Sequence, residues 1–162
     1  MADLNNLLLD DIIKLSAKLA EGCEPDTVVA LAADSAARIA DADGCFFFHI
    51  TPNHFMNLVY SRIESLNTSV SGTSNMAFFP SVFLPDTKER PTKRPAELCA
   101  LNKEVINTPN IFDIPNIDKV FLREFDETNN YTSLSALIFP LFDSRHNIIA
   151  VAQFVNARDA KG

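Results

Sequence analysis

Two apolar runs near the end of the chain constrain its fold more than any other feature. Ser135-Ala-Leu-Ile-Phe-Pro-Leu-Phe142 and Ile148-Ile-Ala-Val-Ala-Gln-Phe-Val-Asn156 are each strand-length and rich in Ile, Val and Phe. Asp143-Ser-Arg-His-Asn147 separates them with five polar residues that suit a turn. Such a pattern predicts an antiparallel hairpin whose strands are largely buried. Gln153 is the polar exception in its strand, with Val151 and Val155 on the same face. A buried amide costs about 1–3 kcal/mol unless it is paired, so Gln153 needs a partner in the protein or a ligand.

The rest of the chain supplies elements to pack against that hairpin. Residues 3 to 21 place Leu4, Leu7, Leu8, Ile12, Leu15 and Leu19 at helical spacing, with Asp3 as N-cap and Gly22 as terminator. Pro25 and Asp26 open a second helix whose face is Val28, Val29, Ala32, Ala36, Ile39 and Ala40. Cys45-Phe-Phe-Phe-His-Ile50 and Phe55 to Tyr60 read as strands around a turn at Thr51-Pro-Asn53. Residues 61 to 75 are polar, and no strand is assigned there. Met76 to Leu84 is extended, with Pro80 at an edge or bulge. Residues 85 to 94 read as a loop, Pro95 to Leu101 as a short helix, and Val105-Ile106 as a short strand. Asp118 to Phe125 reads as a helical turn with Val120 and Phe121 facing inward. The expected architecture is α+β: an antiparallel sheet of about six strands, helices on one face and a loop-rich lid on the other.

A length of 162 residues suits one domain. With 21 acids against 14 bases the net charge is −7, which repels a phosphate backbone and argues against nucleic acid as a partner. Lys88, Arg90, Lys93 and Arg94 form one basic cluster, read as part of a solvated loop. No apolar run is long enough to cross a bilayer, so a soluble cytoplasmic protein without a membrane partner is expected. Cys23, Cys45 and Cys99 are far apart and make no CxxC. No Cys/His pair has zinc spacing, so reduced thiols and no metal site are expected.

In order and spacing these segments resemble the second half of a GAF domain, a sensing module of signalling proteins. The residues that carry the likeness are Cys99-Ala-Leu-Asn-Lys-Glu-Val-Ile-Asn107, Phe125-Asp-Glu-Thr-Asn-Asn-Tyr131 and the closing hairpin. Pro80-Ser-Val-Phe-Leu-Pro-Asp86 resembles a stretch of GAF domains attached to bacterial HD or HD-GYP phosphohydrolases and nucleotide cyclases. The resemblance covers roughly residues 25 to 159 and implies a PAS-related fold with a ligand pocket between the sheet and residues 107 to 135. It implies a ligand-binding set of Gln153, Ser133, Asn129, Tyr131 and Phe112. It also implies a lid lock made by Asn107 (or Asn102), Lys103, Phe121, Asp126 and Glu127. No particular cofactor is specified. Asn130 in place of a Gly, the Pro95-Ala96-Glu97 helix start, and Phe46, Phe47, Phe48, Phe78 and Phe79 speak against a cyclic nucleotide. His49 as a haem ligand is discounted because a lone histidine at a strand end is far more often structural or surface, and Asp113-Ile-Pro115 as a bilin signature because none of the cysteines sits where a bilin thioether is expected.

The function implied is a regulatory sensor, itself without catalysis, that controls an HD-type phosphohydrolase or cyclase in a parent protein. Residues 1–24 would be a dimerising and signalling helix. Residues 25–162 would be the GAF domain lacking its C-terminal helix. The Leu-rich first helix, apolar on more than one side, predicts a homodimer. Two alternatives stand beside this reading. One is a GAF scaffold that has lost its ligand. The other is a free methionine sulfoxide reductase, whose chemistry needs a thiolate with a resolving cysteine within reach.

Overall fold

The computed structural model describes residues 2–71, 80–84 and 92–158, with backbone alone for 2–7. Expectations that rest on Leu4 and Leu7, on Phe78 and Phe79, and on Lys88 and Arg90 lie outside the described side chains. Helix α1 (Ala2–Ala20) and helix α2 (Pro25–Ile39) precede strands β1 (Ala42–Ile50), β2 (Phe55–Ile63), β3 (Thr68–Ser71) and β4 (Val82–Phe83). Then come α3 (Pro95–Asn102), β5 (Ile106–Thr108), a 3₁₀ turn at Ile111–Asp113, α4 (Lys119–Asn129), β6 (Ala136–Phe142) and β7 (Ile148–Ala157). The strands form one antiparallel sheet in the order β3-β2-β1-β7-β6-β5, and β4 adds to β2 beside β3. The fold is the GAF-like α+β fold.

The expected hairpin is β6–β7. Asp143 fixes its turn by accepting the backbone N–H groups of Arg145 and Asn147 at 2.8 Å each. Alternation along β1 and β7 splits the core between the two faces. On one face Cys45, Tyr60, Ala152 and Phe154 meet α2 through Ala33, Val29 and Ala36. On the other, Phe46, Phe48, Val151 and Val155 meet Ala96, Cys99, Ile111, Ile114 and Leu122 from the segments between β4 and β6. The small residues of α2 let that helix lie close on the sheet.

Three local readings are corrected. Residues 61–75 begin with the end of β2, which turns through residues 64–67 into β3; polar Ser and Thr suit an edge strand that faces water on one side. Asp118 to Phe125 is no single turn, because α4 runs eleven residues to Asn129. Its start is set by Asp118, whose carboxylate caps the Val120 and Phe121 N–H groups at 3.0 and 3.4 Å, and its end by Asn130 at φ 49°. That longer helix turns Val120 outward, 60% exposed, and buries Leu122 in its place. In α1 the inward contact is polar: Asp11, 3% exposed, takes two bonds from Arg38 of α2 at 2.8 and 2.9 Å. Leu8, Leu9, Ile12, Ile13 and Leu19 are exposed on the same helix.

Candidate functional site

The face of the sheet opposite α2 closes over a small cavity of about 50 Å³. Its floor is Phe46, Phe48, Gln153 and Val155 of β1 and β7, side chains that alternation directs to one face. Its roof is Ile111, Phe121, Leu122 and Phe125, with Tyr131 and Ser133 from the segment after α4 and Arg94 and Pro95 from the start of α3. Backbone bonds hold this roof down. Thr92 and Asn116–Asp118 exchange two of them at 3.0 and 2.8 Å, and Ile111 donates to the Leu134 carbonyl at 2.6 Å.

Gln153 is 9% exposed and lines the cavity. Among the described residues its amide makes no hydrogen bond. This is the group the closing strand singles out, an amide with two donors and an acceptor lining a mostly apolar space. Ser133 is held differently. Its N–H and hydroxyl both donate to the Asp126 carboxylate, at 2.9 and 2.7 Å, which ties the cavity wall to the last turns of α4. Tyr131 also lines the cavity but directs its hydroxyl away, donating to Asp43 and accepting from Asn156, each at 2.9 Å. Burial and the adjacent Asp43 carboxylate push the Tyr131 phenol well above its ordinary range, so it stays a neutral donor.

Asn156 completes a second staple. From φ 54° on β7 it accepts the Leu134 N–H at 2.7 Å and donates to the Thr132 carbonyl at 2.7 Å. Asp43 is the hub beneath it, taking the N–H and hydroxyl of Ser65 at 3.0 and 2.7 Å and lying 3.5 Å from Arg158. Burial works to raise the Asp43 pKa, but the bonds from Ser65 and Tyr131 and the charge of Arg158 outweigh it and hold the carboxyl below its usual range. The sequence reading passed over Asp43 and Asn156. A positive-φ Asn inside a strand is the feature that marks the latter.

Of the remaining expected ligand contacts, Asn129 is exposed and bonds the Phe125 carbonyl at 2.8 Å, and it faces an outer groove rather than the cavity. Phe112 packs at the edge of the core beneath the Arg123 guanidinium, 6.0 Å from its ring centre. Of the lock residues, Phe121 lines the cavity and Asp126 holds Ser133, whereas Asn107, Lys103 and Glu127 are exposed. Lys103 is the left-handed cap of α3, at φ 58°.

Arg94 departs from the solvated-loop reading of the basic cluster, whereas Lys93 is exposed as that reading expects. It is 6% exposed, its guanidinium lies 5.7 Å from the Phe121 ring centre, and Glu97 is 3.8 Å away. The local reason is α3, for which Arg94 is the N-cap residue and Pro95 the first helical residue, so the chain turns inward there. Burial lowers the Arg94 pKa, with Glu97 acting against that fall.

The cysteines sit apart. Cys45 is buried on the α2 side of the sheet and Cys99 on the cavity side, while Cys23 lies between α1 and α2. Burial pushes the Cys45 and Cys99 thiols up to about 11 and about 12.

No family model matches the chain, and no curated protein matches it. Solved structures do share its fold. It is similar to the GAF domain of a phosphoenolpyruvate-protein phosphotransferase from Coxiella burnetii, 11% identical with a TM-score of 0.63 over 96% of this chain and 78% of that one. The GAF domain of an Acinetobacter phosphoenolpyruvate-protein phosphotransferase is 13% identical, with a TM-score of 0.59 over 93% of this chain and 77% of that one. A phycoerythrobilin-bound GAF domain from a cyanobacterial phytochrome is 8% identical, with a TM-score of 0.57 over 96% and 84%.

Proposed function

We propose that this chain is a regulatory sensor domain of the GAF family whose ligand enters the cavity beneath α4 and meets Gln153. The observation that carries this reading is the Gln153 amide, nine-tenths buried and without a hydrogen bond among the described residues. An amide set in a largely apolar cavity wall offers a ligand two donors and an acceptor. Bilin-bound domains among the similar folds support a ligand role for this fold, though not for any particular ligand. A ligand at this site would shift the side-chain amide NMR signals of Gln153, whereas a screen in which no compound moves them contradicts the reading.

Signal transfer would follow from the staples. A ligand that spreads α4 from the sheet strains the Asp126–Ser133 and Asp43–Tyr131–Asn156 bonds, and thereby the ends of β1 and β7. The resemblance of Pro80–Asp86 suggests an HD-type phosphohydrolase or a cyclase as the controlled output. A sulfoxide reductase fits less well. Its thiolate chemistry needs two cysteines within reach, and Cys45 and Cys99 are buried, protonated and on opposite faces of the sheet.

The exposed apolar side of α1 favours a homodimer in which α1 of one copy meets α1 of another. Five exposed Leu and Ile side chains would each contribute about 1.5–3 kcal/mol on burial, before ordering costs. Sedimentation at high concentration should show a dimer that Ile12→Glu converts to monomer. A wild-type chain monomeric at the same concentration rules out this interface.

A further inference from the structure

Gln153 has a counterpart two strands away. Ser61 of β2 is 8% exposed, and its hydroxyl, like the Gln153 amide, makes no hydrogen bond among the described residues. Phe46 of β1 pairs with Ser61 on one side and with Gln153 on the other. Residues directly opposite in a sheet share a face, so Ser61, Phe46 and Gln153 form one row beneath α4. We propose that the sensor's ligand is a neutral planar molecule with a hydrogen-bonding group at each of two opposite ends. It lies across Phe46, one end at Gln153 and the other at Ser61. This assignment rests on the sensor reading above and names the ligand class for that site.

The two ends of the row open into different spaces. Gln153 lines the cavity of about 50 Å³, whereas Ser61 lines a largely apolar groove of about 460 Å³ between α4 and the β2–β3 edge. Phe46, Phe121 and Phe125 line both and form the partition between them. The cavity by itself holds a water or two, so a ring at Gln153 must reach past that partition. Shifting the two rings carried by α4 joins cavity and groove. Phe125 meets Phe46 edge-on at 6.4 Å, and a flat body entering there gains aromatic contact with both rings in exchange.

The row also sets the spacing and kind of the polar groups. Adjacent strands lie about 4.8 Å apart, so the backbones at Ser61 and Gln153 are separated by about 10 Å. That leaves room for one six-membered ring with a hydrogen bond at either end. An amide or lactam edge matches Gln153, which offers both donors and an acceptor, and a single hydroxyl matches Ser61. Between the ends the walls are apolar, Ile63 and Val70 in the groove and Leu122 and Val155 in the cavity, so a polar group in mid-body would stay unpaired. A charged end group would meet a neutral amide or hydroxyl, too little to offset its desolvation. Arg94 on the cavity wall already stands 3.8 Å from Glu97.

The test titrates 4-hydroxybenzamide, benzamide and phenol into the whole chain, read by calorimetry and through the Gln153 side-chain signals. 4-Hydroxybenzamide should bind about three- to tenfold more tightly than benzamide, because it makes one more hydrogen bond. Ser61→Ala should abolish that advantage and leave benzamide unchanged, a selectivity that altered packing alone does not produce. Gln153→Leu should in the same way abolish the advantage of 4-hydroxybenzamide over phenol. Equal binding of 4-hydroxybenzamide and benzamide to the wild-type chain overturns the assignment, as does an advantage that survives in Ser61→Ala. If a variant does not fold, the comparison of the three probes on the wild-type chain still decides. Should none of the three reach Gln153 while another compound does, the assignment falls and the sensor reading stands.

Discussion

Asp43→Ala should lower stability by about 2–4 kcal/mol, the largest effect expected of any single polar substitution here. Its carboxylate accepts three hydrogen bonds, from the Ser65 N–H and hydroxyl and from the Tyr131 hydroxyl. Removing it leaves the Tyr131 hydroxyl, in a half-buried residue that lines the cavity, with only the bond it accepts from Asn156. The ion pair with Arg158 adds little, since the arginine side chain is nearly half exposed. For a domain of this length the midpoint of thermal unfolding should fall by about 5–15 °C. The same carboxylate predicts a pH dependence. Its folded pKa lies below its ordinary value, so its contribution is present above the unfolded pKa near 4 and is lost as pH falls through the folded value. Urea titrations at pH 7 and pH 3 should therefore show wild type losing more stability on acidification than Asp43→Asn does. Equal losses, or an alanine variant as stable as wild type, would place the segment after α4 under other control.

Gly44→Ala should cost about 1–3 kcal/mol even though alanine suits a strand better than glycine. Gly44 pairs with Ile63 on one side and Val155 on the other, so β1 has no free edge there. An added Cβ would stand 2.7 Å from a Val155 methyl and 3.5 Å from Ile63. Valine is stiff about χ1 and Val155 lines the cavity, so relief would mean pushing β7 or intruding on the floor of the site. Gly44→Ala combined with Val155→Ala should cost less than the two single changes together, because truncating Val155 removes the methyl that the added Cβ meets and that Cβ fills part of the space left. Additive costs in a denaturation series would show that the sheet accommodates the methyl elsewhere.

Most of the architecture follows from simple patterns. The two opening helices repeat with a period of 3.6, the β6–β7 hairpin and the aromatic β1 stand out as short apolar runs, and each falls within a few residues of its expected place. α4 was foreshortened because its inward stripe is sparse, Phe121, Leu122 and Phe125, with polar residues on every other side. Its capping residues, Asp118 and Asn130, were the better signal. Gln153 stood out because an amide interrupts an apolar strand, and the structure places it at the cavity. Arg94 did not stand out, since neighbouring Lys93 and Pro95 give it the composition of a loop. Burial of a guanidinium depends on Phe121 and Glu97, which are distant in one case and polar in the other. The side chains of Asp43 and Asn156 hydrogen-bond residues 22 to 88 positions away, contacts that no local pattern encodes.

The claim that a small molecule occupies the cavity rests on Gln153, and its side-chain amide signals report on it directly. They are assigned by their disappearance in Gln153→Leu and followed in the wild-type chain through a screen of small metabolites. A compound that binds the cavity should shift or slow the exchange of both Gln153 amide protons together with the Ser133 backbone signal, and should lose affinity in Gln153→Leu. Compounds that bind with equal strength to both chains and leave those signals unmoved, or a screen in which none moves them, would contradict the account.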